Sequence, residues 1–400
     1  MFTQTVLAIL SGILAGTFTG LIPGIHINLI CIIVLSVSPA LLKLVSPLTV
    51  AAFIIAMSVN HTFLDSLPGI FLGAPDSAHA LTVLPGHRML LKGQGYNAVK
   101  LTVIGSLMSL ITCLAASPLL IFLVRTVYPL IRNSIGYILT VIMAYMILKD
   151  KKRLKNALIF SLSASLGLVV LNFPNIKDAL FPLLSGLFGF SVLITSIMQK
   201  SVIPAQNLEA PIHIPKSTTI KATAGATVVG FTASFLPGFG SSQAAILATQ
   251  AMRKLDENGF MILVGGINTV NMTLSLITLH VLNKARNGSV IAVSKILEVV
   301  GSAQLFALFA TALVAGGVAV SLSLGIAKVF SRLISRVNYT LLVYSILCFI
   351  TALVLFFSGP VGLLVLATAT FTGISASEIG VGKNHCMACL VVPVIFYFVL

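Results

Sequence analysis

Hydrophobic positions in this chain neither alternate nor gather on one helical stripe. They run on, in stretches of about 20 residues, each long enough to cross a hydrocarbon core of about 30 Å as a helix. Apolar runs cover residues 5–22, 25–42, 47–64, 96–123, 130–148, 154–171 and 178–198. After a polar interval they resume at 222–236, 240–252, 260–282, 301–328, 337–357, 360–375 and 384–400. The period-two pattern of a membrane barrel is missing, so the backbone must satisfy itself within helices. The predicted class is an all-α polytopic membrane protein.

The interval KSVIPAQNLEAPIHIPKSTTIK, from Lys200 to Lys221, divides the chain almost in half. Its prolines and its lack of apolar period mark a surface crossover. The expected organisation is a first transmembrane repeat over residues 1–198, a polar linker over 199–221 and a second repeat over 222–400. Internal similarity supports two repeats. Placing Pro23-Gly24 of GTFTGLIPGIHINLI on Pro237-Gly238 of GFTASFLPGFGSSQAAI puts Gly16 on Gly230. At a slightly shorter offset, SVNHT (Ser58 to Thr62) falls on TVNMT (Thr269 to Thr273), and APDSA (Ala74 to Ala78) on ARNGS (Ala285 to Ser289).

Composition sharpens this picture. The chain is 58% hydrophobic and 8% charged, and its mean hydropathy is +1.09. The net charge of +15 comes from Lys and Arg in short loops between apolar runs. That placement reads as membrane topology and lipid contact, not nucleic-acid binding. KDKKRLK, from Lys149 to Lys155, is the densest basic loop and is expected on the cytoplasmic side. Counting crossings from it, with each Pro-Gly pair as a hairpin tip, makes the halves inverted. The first apolar run has no basic leader, so the N-terminus is expected to be retained. Cys386 and Cys389 form a lone C-x-x-C beside His385, read as small packing residues and not as a metal or redox site.

Inverted repeats whose helices break at matching positions point to a secondary transporter's midplane site. A Pro-Gly break removes a donor and permits unusual backbone, so one helix ends and another starts partway through the membrane. The new helix start favours an anion, and the old helix end presents carbonyls to a cation. The candidate substrate-binding residues are therefore Pro23, Gly24, His26 and Asn28 at the first break, and Pro237, Gly238, Gly240, Ser241, Ser242 and Gln243 at the second. An ordinary capped helix-helix turn is the plainer alternative.

The segment FLDSLPGIFLGAPDSAHALTVLPGHRML, Phe63 to Leu90, is too often interrupted for one span and reads as broken or re-entrant. Its ionisable groups are Asp65, Asp76, His61 and His79, which at membrane depth are candidates for proton or Na⁺ coupling. Asp76 could equally cap a helix after Pro75. With Ser77 they join Asn60, Thr62, Asn268, Asn271 and Thr273 as candidates for ion coupling or substrate contact. The Asn-x-Thr triplets formally match glycosylation sequons, but both lie inside apolar runs. Asn side chains bridging helices are the alternative. Arg286, near the repeat counterpart of Pro75, is a candidate anion neutraliser or a solvated loop charge.

The blocks GTFTGLIPGIHINLI, GAPDSAHALTVLPGHRMLLKGQGYNAVKL, LFPLLSGLFGF and GFTASFLPGFGSSQAAILATQAMRK resemble those of the large membrane subunit of tripartite tricarboxylate transporters, the TctA family, in order and spacing. The chain resembles a compact, archaeal-like branch. The resemblance implies an ion-driven permease for citrate-like carboxylates, working with a small membrane subunit and an extracytoplasmic binding protein. It departs at His26, where the family usually continues with Gly, at GGINTVNMT, which keeps Asn268 and Asn271 without a carboxylate, and at LPGHRM.

No G-x-x-x-x-G-K-[ST], H-E-x-x-H or G-x-S-x-G motif occurs, which argues against an ATP-driven pump and an intramembrane hydrolase. The expected function is a secondary active transporter for a small organic anion, a di- or tricarboxylate, coupled to Na⁺ or H⁺. A transporter of a lipid-linked phosphate is the alternative, since helix N-termini bind phosphate equally well. A scaffold for partner proteins is the reading from another class. No cofactor beyond the coupling ion, no catalytic residue and no metal site are expected. The expected location is a prokaryotic cell membrane, in contact with lipid, and a homo-oligomer is compatible with the sequence.

Overall fold

A computed structural model of the chain describes residues 2–22, 27–73, 83–149, 152–174, 176, 179–198, 203–209, 211–212, 214–235, 244–245, 248, 255–285, 287–334 and 338–399. The first half comprises α1 (Phe2–Leu21), α2 (Ile27–Leu41), α3 (Pro47–Leu64), α4 (Ser66–Leu72), α5 (Val83–Leu91), α6 (Gly95–Ala115), α7 (Ser117–Ile131), α8 (Ile135–Lys149) and α9 (Arg153–Leu171). It closes on α10 (Leu180–Leu184), a π-helical turn (Ser185–Phe190) and α11 (Ser191–Met198). The second half contains α12 (Lys216–Phe235), α13 (Glu257–Leu282), α14 (Gly288–Leu297), α15 (Ser302–Ile334) and α16 (Tyr339–Glu378). A 3₁₀ turn (Lys383–Met387) then leads into α17 (Ala388–Val399). Among the described residues, eight helical segments are long and apolar enough to cross a membrane.

Several apolar runs resolve differently from their sequence boundaries, each for a local reason. The run 96–123 is two helices, because Pro118 lacks an N–H and its ring clashes with the carbonyl one turn back. The runs 337–357 and 360–375 form one kinked element, in which Gly359 takes φ 69° immediately before Pro360. The KSTTIK end of the linker is already helical, since α12 starts at Lys216, directly after Pro215. Helix α14 belongs to no apolar run, because its polar residues dilute the pattern. Its start is set by Asn287, whose side chain accepts from the Val290 N–H at 2.8 Å.

Two groups of helices build the molecule. In one, α1 lies along α3 and α12 along α13. The halves interlock there, with α6 packed on α13 and α15 on α3. In the other, α16 packs on α10, the π turn and α11, while α17 packs on α9 and α8. The groups meet where α4 touches α16 and α5 touches the π turn. Large side chains such as Phe18, Phe356 and Phe371 remain exposed on the outside, as a lipid-facing surface requires.

Small residues allow the closest crossings, since lipid tails provide no hydrophobic force between helices and packing must supply it. A side chain at Gly105 of α6 would run into the Ile262 backbone of α13, and one at Gly265 into the Thr102 backbone. Ser106 Oγ donates to the Gly265 carbonyl at 3.1 Å across the same crossing. At the start of α13, Asp256 Oδ1 accepts from the Gly259 N–H at 2.9 Å. Asp256→Ala is expected to cost about 1 kcal/mol of stability, read as a lower unfolding midpoint in detergent. An unchanged midpoint would show that the cap contributes nothing.

Candidate functional site

The polar centre of the molecule begins at a break in a long apolar helix. Pro68 cannot donate to the Leu64 carbonyl, so α3 stops at Leu64 and α4 begins at Ser66. Gly73, at φ 63°, ends α4 by returning its N–H to the Pro68 carbonyl. Asp65 occupies the break, and its side chain caps neither helix. It is 3% exposed. A carboxyl group buried this deeply needs polar partners, because burial removes its hydration.

Three helices supply its surroundings. Asn268 Nδ2 of α13 donates to Asp65 Oδ2 at 2.8 Å. His61, one turn earlier on α3, brings Nε2 to 3.8 Å from the same oxygen. The other imidazole nitrogen of His61, Nδ1, lies 3.0 Å from Thr19 Oγ1 near the end of α1. The result is a continuous polar line, Thr19 to His61 to Asp65 to Asn268, which crosses from the first half of the chain into the second. Beside it, Thr62 Oγ1 meets Thr269 Oγ1 at 3.2 Å, and Ser66 Oγ meets Thr102 Oγ1 at 3.2 Å.

Not every candidate residue joins this centre. Asn60 is fully buried, and its Nδ2 donates to the Ile13 carbonyl at 2.7 Å and to Thr17 Oγ1 at 2.9 Å. It therefore ties α3 to α1, the bridging role open to it from the sequence. Thr273 donates to the Thr269 carbonyl of its own helix, and Asn271 is only partly buried. Pro23, Gly24, His26, Asp76, Ser77, His79, Pro237, Gly238, Gly240, Ser241, Ser242, Gln243 and Arg286 lie outside the described residues, as does the side chain of Asn28 in the first turn of α2. The end of α1 comes close to this centre, since a Cβ at Gly20 would lie 3.4 Å from the Asp65 N–H nitrogen.

Thr19, Ser66, Thr102 and Thr269 were not singled out in the sequence. Thr19 and Thr269 stand within the repeated blocks themselves, which was the available signal. Ser66 and Thr102 carry none, because a hydroxyl in an apolar helix more often bonds to its own backbone. The C-x-x-C cysteines are free, buried thiols, and Gly167 of α9 packs directly on the Cys389 backbone. Among the described residues, no three His, Cys, Asp or Glu side chains stand together as a metal site.

Comparison with known proteins bears on this arrangement. The sequence pattern described as the tripartite tricarboxylate transporter TctA family matches residues 6–388. The chain belongs to the TctA family. An uncharacterized protein of Methanocaldococcus jannaschii is 28% identical over 402 residues, covering 98% of each chain. No solved structure matches the chain. As a TctA-family member with many apolar helices, it is a multi-pass membrane protein and a component of a transporter family. The buried Asp65 line therefore lies within the part of the chain that the family pattern covers.

Proposed function

We propose that the chain is the permease of an ion-coupled uptake system for a small organic anion, a di- or tricarboxylate. The anion is held at the paired breaks around Pro23-Gly24 and Pro237-Gly238, by positively polarised helix starts with Asn28, Ser241 and Ser242. Coupling runs through Asp65, whose protonation or pairing with Na⁺ changes the charge at the break beside α1. The observation that carries this reading is the Asp65–Asn268 hydrogen bond, a buried carboxylate joining the two halves beside the end of α1. A carboxylate with nearby hydroxyl and amide oxygens is chemistry suited to H⁺ or a hard cation. The halves alternate access around that site, and a small membrane subunit with an extracytoplasmic binding protein completes the system.

The test is binding of a carboxylate panel, including citrate, to purified protein with and without Na⁺ at two pH values. Saturable binding that depends on Na⁺ or pH, and weakens about tenfold in Asn28→Ala, is the expected result. A folded protein that binds none of the panel would remove the carboxylate assignment.

A further inference from the structure

A second polar feature stands apart from the Asp65 line, where the two helix groups meet. A cavity of about 260 Å³ opens between α5, α11, the end of α16 and the 3₁₀ turn. Its lining includes His87, Arg88, Ser191, Ser196, Ser377 and Lys383. The decisive group is Lys383, which is 7% exposed and reaches inward to donate to Ser191 Oγ at 2.5 Å. Ser191 in turn donates to the Leu187 carbonyl at 2.6 Å, so it anchors the ammonium as a neutral acceptor.

An ammonium has three protons to donate and a charge to balance. Among the described residues, no carboxylate lies within ion-pair distance of Lys383. Burial pushes its pKa down to about 8, which leaves it charged at neutral pH with little margin. Burial also lowers His87, whose Nδ1 lies 3.1 Å from the Ile70 carbonyl. Arg88 is largely exposed at the mouth, 3.9 Å from Glu257, and Glu257 is more closely engaged by Lys92 at 3.0 Å. Ser196 is 7% exposed and lines the same space. The cavity thus has a buried cation with no acid within ion-pair distance among the described residues, a second cation at its mouth beside Glu257, and neutral hydroxyls. A buried cation with one neutral partner is costly, and an anion with several acceptor oxygens relieves that cost.

We propose that this cavity binds a small oxyanion, carboxylate or phosphate, with Lys383 as its counter-charge, Ser196 as a hydrogen-bond donor and Arg88 at the entrance. The site is distinct from the Asp65 line and does not rest on the transport reading. Its walls come from both helix groups, so an occupant touches α5 on one side and α11 with the 3₁₀ turn on the other.

Titration calorimetry on the full chain in neutral detergent, with inorganic phosphate and with citrate at pH 7, tests the site. A parallel measurement follows the unfolding temperature in nanodiscs containing phosphatidic acid or only phosphatidylcholine. The expected result is saturable binding that weakens about tenfold or more in Lys383→Gln and measurably in Ser196→Ala, and is unchanged in Gly317→Ala, whose added methyl would meet nothing within 4 Å. Calorimetric binding of phosphate or citrate identifies a soluble anion. Stabilisation by phosphatidic acid alone, lost in Lys383→Gln, identifies a lipid headgroup. The proposal is overturned if none of the three probes acts saturably on folded wild-type protein, or if Lys383→Gln and Ser196→Ala both bind as the wild type does. Binding abolished by Asp65→Asn and untouched by Lys383→Gln would assign the anion to the central site instead, and would equally overturn it.

Discussion

Asp65→Asn is expected to lower gradient-driven uptake by about 100-fold while leaving the protein folded. The substitution keeps the volume of the side chain and, through its amide oxygen, an acceptor for Asn268 Nδ2, which donates to Asp65 at 2.8 Å. What it removes is the ability to take up a proton or to balance a cation. A charge-assisted contact with the coupling ion, lost with the carboxylate, is worth roughly 1.5–3 kcal/mol, and the upper part of that range corresponds to about 100-fold in an equilibrium constant. The measurement is uptake into proteoliposomes under an imposed Na⁺ or pH gradient, beside exchange without a gradient. Coupled uptake should collapse and exchange should fall less, because exchange does not require the ion's charge to be carried back empty. Wild-type uptake in Asp65→Asn would take the coupling role from this residue. The variant is also informative about stability: an amide of the same shape keeps an acceptor for Asn268, so its unfolding midpoint should not fall.

Gly105→Val should have the largest structural effect. A Cβ at this position would overlap the Ile262 backbone across the α6–α13 crossing, and neither backbone can yield as the end of a flexible side chain can. Overpacking of a core commonly costs 1–3 kcal/mol and occasionally more. For a collision with backbone we expect about 3 kcal/mol or more, seen as a much lower unfolding midpoint and a loss of monodisperse protein. Gly317→Ala is the matched control, since nothing lies within 4 Å of its added Cβ. It should be neutral or slightly stabilising, as alanine favours the helix more than glycine does. A Gly105→Val protein with the wild-type midpoint would contradict the close crossing that joins α6 of the first half to α13 of the second.

Some of this was legible from residues alone, for physical reasons that differ from one element to the next. Long apolar runs can satisfy their backbones in lipid only as helices, so α1, α3, α9 and α13 follow from hydropathy with boundaries close to those read. The helix break near Asp65 was visible through Pro68 and Gly73, because proline and glycine act on their own chain within one turn. The kink at Gly359 was visible as a boundary between runs, though not as one continuing helix. The start of α12 at Lys216 was not visible, since a polar first turn looks like a linker until packing extends it.

The sequence by itself determined the class of the protein and the helix break before Pro68, because these depend on hydropathy and local stereochemistry. Only the tertiary structure decided which polar residues meet. Asp65 and Asn268 are far apart in the chain, and nothing local to either distinguishes a bridging amide from a solvated one until α3 and α13 are packed together. Lys383 shows the same limit: in the sequence it is one more loop cation. It becomes a buried cation, with no acid within ion-pair distance among the described residues, only because α11 and the end of α16 close around it.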